Sequence, residues 1–405
     1  MECLVVVALV CTLAVVHTYL LYPAYLFRRA AALPPAPATG AKHLPTVHIL
    51  MAVHNEELVL AEKLRTIDQQ QYPGPLRLWV ADDCSTDATA RILADFTFSD
   101  PARRFHYHRN PQRSGKPASI NALAALAGPQ DVYLLTDASV MLPPTTVALL
   151  IAPLAADPAL GLVDSCLVHT GAARHGISTS EVTYINREVA LKQAEGRVLG
   201  YPIGPFGGCW AIRGAAYRPV PPNYLVDDFF LCMSAYRLGW RGESSSAAVV
   251  YEAVGQELAQ EFRRKVRIGS GNWQNLVHFS DLWWPPFQNG LAFAFFSHKV
   301  LRWLTPFLLL LIGCCLLLLW RVGGNYWAGA LLAIAVLVPL TSLLVDRLLV
   351  AQGRHVPALR HLNYFVAMNA ALLVGFVRYL NGISTNVWQP SSRIPPDDGP
   401  PKRPR

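Results

Sequence analysis

Hydrophobic and polar positions alternate on three different scales along this chain. From Glu2 to Phe27 the residues are apolar with no charge after Glu2, and the run stops at Arg28 and Arg29. That length suits a membrane helix. Because the basic pair follows the run instead of preceding it, the segment predicts a retained anchor rather than a cleaved signal peptide. Ala32 to Pro45 is rich in prolines and small residues, the composition of a linker. Between about Thr46 and Asp281 the apolar runs are short and polar stretches separate them, enough chain for one substantial globular domain. Three long apolar runs follow, Trp303 to Trp320, Trp327 to Val350 and Leu362 to Leu380. The expected organisation is an anchor over 1–29, a linker over 30–45, a soluble domain over 46–281, an interfacial aromatic segment over 282–300, about three transmembrane helices over 301–381 and a basic, proline-rich tail over 382–405.

Inside the soluble segment the period shortens. "TVHILMAVHN" and "LRLWVADDCS" are runs of β-forming residues that end in polar ones, and Glu57 to Gln70 between them has the spacing of an amphipathic helix. "RRFHYHRN", "KPASINALAAL" and "DVYLLTDAS" continue the alternation of strand and helix. The predicted fold class is α/β, a mostly parallel sheet covered on both faces, and such sheets bind ligands at the carboxyl ends of their strands. Asn55 and Glu56 follow the first strand, Asp82 and Asp83 the second, and Asp137 the fourth, so all three groups fall at that edge.

Composition agrees with membrane embedding: 52% of residues are hydrophobic, 15% are charged, and the mean hydropathy is +0.27. The eight cysteines form no C-x-x-C pair, which argues against a disulfide framework or a zinc site and suits a cytoplasmic domain. The net charge of +8 owes much to the membrane flanks and the tail, where it suits anionic lipid. No basic stripe with interleaved aromatics points to nucleic acid.

Glycine-rich nucleotide loops are missing from the sequence. "AVHNEE" stands where G-x-G-x-x-G would follow the first strand, and "RNPQRSGKPAS" has Asn110 and Pro117 where a P-loop needs Gly and Ser or Thr. What remains is a site built from carboxylates. Thr86 or Asp87 can cap a helix after the second strand, which leaves Asp83 surplus and open to a ligand role. Asp137 is either a turn former or one of the one or two carboxylates that hold magnesium or manganese on a diphosphate. His106 and His108 read as one exposed strand face, and Trp210 either stacks on a sugar or fills the core.

"AVHNEE", "VADDCSTDAT", "SGKPASINALA", "LLTDASVMLP", "VDDFFLCMSAYRLGWR" and "RRKVRIGSGNWQ" occur in the order, and at about the spacing, found in family 2 glycosyltransferases. Over Pro45 to Gln274 the chain resembles the membrane-integrated branch of that family, which includes cellulose, hyaluronan and poly-N-acetylglucosamine synthases. The resemblance implies a GT-A fold with a Rossmann-like nucleotide-binding half, and an inverting transfer of a sugar from a nucleotide diphosphate sugar. It implies that Glu56 and Asp83 contact the nucleoside, with Lys116 close to it or to the phosphates. It makes Asp137 the first aspartate of the D-x-D motif, holding a divalent cation, Mg2+ or Mn2+, on the diphosphate. It makes Asp228 the general base, with Asp227 beside it. Acids also favour a helix N-terminus, so the structural and catalytic roles of this pair can hold together. Arg267 keeps a cation for the diphosphate, or else lies with Arg264 and Lys265 on a solvated or lipid-facing helix surface. The chain departs from the pattern twice. Ser139 replaces the second acid of D-x-D, and Q-x-x-R-W is reduced to Arg264, Arg267 and Ile268, without the tryptophan that helps hold the acceptor sugar.

The expectation is a metal-dependent transferase in a bacterial inner membrane, its domain facing the cytoplasm, moving a sugar from a UDP-sugar or similar donor to a lipid-linked or cell-envelope glycan. The alternatives are a processive exopolysaccharide synthase, completed by an oligomer or partner, and a non-catalytic scaffold or glycan-binding subunit of an envelope complex. A glycosidase with paired carboxylates fits the cytoplasmic placement poorly. Topology leaves two readings open. An anchor and three later spans put the tail outside, whereas Arg393, Lys402, Arg403 and Arg405 favour the inside. Either the last run is not a full span or those charges lie too far away to count.

Overall fold

A computed structural model describes residues 1–34, 44–170, 177–253 and 258–386. Most of the expected linker and tail lies outside the described residues. Helices α1 (Glu2–Val16) and α2 (Tyr22–Ala31) form one rod through a π turn. The chain continues through β1 (Val47–Val53), α3 (Leu60–Asp68), β2 (Leu76–Asp82), α4 (Thr89–Asp95), β3 (Arg104–Arg109), α5 (Lys116–Leu126), β4 (Val132–Thr136), β5 (Val140–Met141) and α6 (Thr146–Ala156). Then come β6 (Leu160–Thr170), α7 (Ile177–Leu199), β7 (Cys209–Arg213), α8 (Asp227–Arg237) and β8 (Arg241–Ala253). After α9 (Leu258–His278) and α10 (Ser280–Trp283), α11 (Gly290–Phe295) runs through a second π turn into α12 (Leu301–Arg321), followed by α13 (Tyr326–Ala351) and α14 (Pro357–Leu380).

Two compact units result. One holds Arg29–Ala172, Ile185–Gln256 and Ile383–Arg405; the other holds Met1–Arg28, Ala173–Tyr184 and Glu257–Gly382. The sequence reading ran the soluble domain to Asp281, whereas the structure groups α9 with the helices. The reason is packing: Gly269 of α9 lies against Ala371 and Gly375 of α14.

The first unit is built on an eight-stranded sheet of order β3-β2-β1-β4-β7-β6-β8-β5. β1 pairs in parallel with β2 and β4, and β2 with β3. Every residue of β1 is buried. A strand covered on both faces needs a continuous apolar run rather than an alternating one, and "VHILMAV" is close to that. β7 runs antiparallel between β4 and β6, while β8 pairs in parallel with β6 and antiparallel with β5. Parallel β1, β2 and β4 therefore deliver their carboxyl ends to one edge. Exposed β3 closes one side of the sheet, and its His106 stacks on Trp79 with ring centroids 3.9 Å apart.

The second unit contains four helices long and apolar enough to cross a membrane: Glu2–Ala31, Gly290–Arg321, Tyr326–Ala351 and Pro357–Leu380. The first two lie antiparallel, with Met1 beside Gly323 and Tyr22 edge-on to Phe293 at 5.5 Å. Between α10 and α11, Trp284 and Phe287 are 62% and 80% exposed, while the residues from Gly290 onward, expected in the interfacial segment, belong to the long apolar helix Gly290–Arg321.

Candidate active site

Two loops clasp each other at the carboxyl ends of β1 and β2. Asn55 takes a positive φ of 53°, which aims its N–H at Ser85 Oγ (3.0 Å) and its Oδ1 at the Thr86 N–H (2.8 Å). Glu56 N–H donates to Thr89 Oγ1 (2.9 Å), and Asp87 accepts from the N–H groups of Glu57 and Thr89. The Glu56 side chain is half-buried at this edge.

Asp83 is fully buried, and its carboxylate accepts four hydrogen bonds: from Ser114 N–H (2.7 Å), Asn110 Nδ2 (2.9 Å), Gly115 N–H (3.0 Å) and Arg113 Nε (3.2 Å). Burial works against ionisation, yet these donors outweigh it and hold the carboxyl below the ordinary range. Arg113 also donates to His54 Nε2 (2.6 Å), while His54 Nδ1 donates to the Asp83 carbonyl (3.0 Å). Burial, and then the guanidinium, lower the His54 pKa and keep the ring neutral. Asp83 therefore shapes the loop over Asn110 to Gly115, which ends where Lys116 begins α5. Asp83→Ala would strand buried N–H groups, and the expected loss of stability is about 3 kcal/mol, read as a lower unfolding midpoint in detergent.

The cleft itself forms around the loop after β4. Asp137 N–H and Thr136 Oγ1 both donate to the Gly208 carbonyl, each at 3.0 Å. Beneath them Lys63, fully buried, donates from Nζ to Thr136 Oγ1 (2.8 Å) and to the Val140 carbonyl, so one ammonium ties both ends of the loop that carries Asp137. Burial draws the Lys63 pKa down to about 8, with Cys209, Asp137 and Glu252 working the other way. Above the loop, Lys116 Nζ lies 2.6 Å from Asp137 Oδ1. Burial would lower Lys116, but Asp137, Asp227 and Asp228 hold its ammonium above the ordinary lysine range.

Asp227 and Asp228 begin α8, half-buried, where the helix N-terminus favours acids. Burial first and the neighbouring Asp227 second push Asp228 up to about 6, and Lys116 offsets part of that rise. Both aspartates line one cleft with Lys116, Thr136, Gly207 and Trp210. Trp210 is 1% exposed, so it forms the floor. Gly207, at φ 74°, lets the backbone pass so close to Asp228 that a Cβ there would overlap the carboxylate. Gly207→Ala is accordingly expected to displace the Asp228 carboxylate and lower turnover by about 10²-fold, with nucleotide affinity little changed. Single-turnover kinetics beside a nucleotide titration would separate the two.

Four residues named from the sequence, Lys116, Asp137, Asp227 and Asp228, thus meet in one cleft. Glu56 and Asp83 stand on the adjoining loops, and Arg267 lies half-buried on α9 in the helical unit. Ser139, in the second-acid position of D-x-D, donates to Glu252 Oε1 (3.3 Å). Sequence reasoning missed Lys63 and Glu252. Lys63 left one signal, a lysine within the buried stripe Leu60, Leu64 and Ile67. Glu252 left none, because only the pairing of β8 with β5 brings it beside Ser139.

Among the described residues no three His, Cys, Asp or Glu side chains converge to hold a metal by themselves. Asp137 still offers hard oxygens of the kind Mg2+ and Mn2+ take, and three carboxylates around one ammonium leave a negative excess. That set fits a divalent cation, which Asp137 would hold.

Comparison with known proteins follows the same lines. Residues 48–217 match the family described as Glycosyl transferase family 2. An N-acetylglucosaminyltransferase of Rhizobium leguminosarum bv. viciae is 30% identical over 249 residues, 56% of this chain and 57% of the relative, so the chain spans little more than half that relative's length. An N-acetylglucosaminyltransferase of Rhizobium leguminosarum bv. trifolii is 34% identical over 128 residues, 31% of this chain and 68% of that one. The solved mannosyltransferase from Pyrobaculum calidifontis in complex with GDP-Man and Mn2+ matches with a TM-score of 0.69 at 20% identity, over 93% of this chain and 99% of that one, a likeness of fold. The sheet, its acidic edge and these matches agree, and the chain belongs to glycosyl transferase family 2.

Proposed function

We propose that this glycosyltransferase moves a sugar from a nucleotide diphosphate sugar, in the first place a UDP-sugar, to a hydroxyl of a lipid-linked or cell-envelope glycan, with inversion, at the cytoplasmic face of a bacterial inner membrane. One observation carries the reading: Lys116, Asp137, Asp227 and Asp228 meet in a cleft at the carboxyl edge of the sheet, where such folds receive ligands.

The donor diphosphate would enter beside Lys116 and Asp137. A divalent cation held by Asp137 would neutralise charge on the departing diphosphate. Lys116 adds a second positive charge at the same place. The Asp228 carboxylate takes the proton of the acceptor hydroxyl; the acceptor oxygen's electron pair forms the new bond to the anomeric carbon as that carbon's bond to the diphosphate oxygen breaks, and the nucleotide diphosphate leaves with the electron pair of the broken bond. One base suffices because single displacement forms no glycosyl-enzyme intermediate. Glu56 and the loop shaped by Asp83 would border the nucleoside, while motif position alone supports Arg267 as a further cation for the diphosphate. Four long apolar helices support the membrane placement. Loss of the Q-x-x-R-W tryptophan favours single transfer or short products over a long polymer, and the names of the rhizobial relatives make UDP-N-acetylglucosamine the first donor to try.

The test is purified protein in nanodiscs with Mn2+ or Mg2+ and membrane lipid extract, offered UDP-, GDP- and dTDP-sugars while nucleotide diphosphate release is followed. Release from one donor, lost in Asp228→Asn, is the expected result. Nucleotide binding with no release from any donor would overturn the reading in favour of a non-catalytic subunit.

A further inference from the structure

Length and composition set α14 beside three other candidate spans, yet its contacts gather at one end of them. The antiparallel pair of α1 and α12 defines two ends: Met1 meets Gly323 at one, and Tyr19 faces the Arg302 guanidinium at 5.4 Å toward the other. α13 starts at the Met1 end, where Gly329 meets Trp320. α14 meets the C-terminal half of α13, where Asn363 bonds to Ser342 Oγ (2.9 Å) and Asp346 Oδ2 (3.3 Å). Its Phe365 packs edge-on to Tyr19 at 5.5 Å, and its Phe376 packs on Phe307 at 5.0 Å.

Rise per residue turns these contacts into a direction. At 1.5 Å per residue, Phe365, which meets Tyr19 beside Arg302, and Phe376, which meets Phe307, lie about 17 Å apart along α14. Their surroundings shift far less, since Arg302 and Phe307 differ by about 8 Å along α12. A helix crossing back beside α13 would bring Phe376 toward Trp320 and Met1, and it stays near the Tyr19 end. Along α14 runs α9, whose Trp273 packs on Phe376 at 4.8 Å and whose Gly269 touches the backbone of α14 at Gly375. α9 carries Arg263, Arg264, Lys265 and Arg267 within five positions, a charge density that hydrocarbon does not accept.

A separate observation comes from the sheet unit. Asn386, 8% exposed, packs against Gly115 so closely that a Cβ on Gly115 would overlap its Oδ1. The chain enters the sheet unit after α2 and returns to it after α14. If α12 and α13 cross out and back, a crossing α14 would leave Asn386 on the wrong side of the membrane to reach Gly115.

We infer that α14 lies along the membrane surface at the Tyr19 end of the bundle, that the described residues cross the bilayer three times, and that Asn386 lies on the face that carries the sheet. The exposed side of α14 fits a lipid headgroup region, with Val374, Val377 and Leu380 beside Arg378. This sidedness is also the one that the tail's basic residues favour.

The test uses the full chain with one epitope inserted after Gly353, between α13 and α14, and a second appended after Arg405, in sealed membrane vesicles of known orientation. Both epitopes are expected to be reached by antibody and protease from the same face. Access from opposite faces would overturn the inference. A sidedness reporter joined to Arg405 alone repeats the reading without an internal insertion: the same face as the sheet supports the inference, and the opposite face overturns it.

Discussion

Asp228→Asn is expected to lower turnover by about 10³-fold while leaving nucleotide affinity within a few-fold of wild type, because it removes the proposed proton acceptor and keeps the shape of the side chain. In the proposed reaction the same residue would set the acid limb of the pH profile. A base works only when ionised, and Asp228 is pushed up to about 6 by burial and by Asp227. The rate in wild type should therefore climb about tenfold per pH unit below that point and level off above it, where the carboxylate is fully ionised. The limb belongs to the interacting pair, so Asp227→Asn, which removes the charge that holds Asp228 up, should move it to lower pH. Steady-state kinetics across pH 4.5 to 8 on the three proteins checks all of this, and a D228N profile still rising through about 6 would assign the base elsewhere.

Asp137→Ala is expected to produce the second large effect, a loss on the order of 10³-fold in turnover, since in the proposed reaction this carboxylate holds the cation that balances charge on the leaving diphosphate. It should also weaken Mn2+ binding in the presence of nucleotide diphosphate, measured by the spectroscopic signal of free Mn2+. The variant releases Lys116 from its 2.6 Å contact, so nucleotide diphosphate alone should bind about as well as to wild type. Undiminished Mn2+ affinity in Asp137→Ala would move the metal to another carboxylate, with Glu252 beside Ser139 the next to examine.

Much of this arrangement is legible in the sequence because it is local. "VHILMAV" reads as a buried strand from its continuous apolar run, and a parallel sheet then places Glu56, Asp83 and Asp137 at one edge without further information. Asp227 and Asp228 were readable as a helix start, which α8 bears out. What stayed hidden depends on pairing between distant segments. Asp83 reads as a surplus acid, and only the folded loop over Asn110 to Gly115 shows four donors already placed on it. Lys63 looks like an exposed charge until α3 is turned with its apolar stripe inward. α14 reads as a span by length and apolarity, whereas its course depends on contacts with Tyr19, Phe307 and Gly269, residues far apart in the chain.

A single displacement with one protein base fixes the stereochemistry of the product. Proton NMR of the glycoside, recorded early in the reaction with the donor identified by nucleotide diphosphate release, reports the anomeric configuration through its coupling constant. A configuration opposite to that of the donor is expected. Retention would contradict it, since retention requires either a second displacement or a different geometry from the one that Asp228 and the cleft around Lys116 and Asp137 provide.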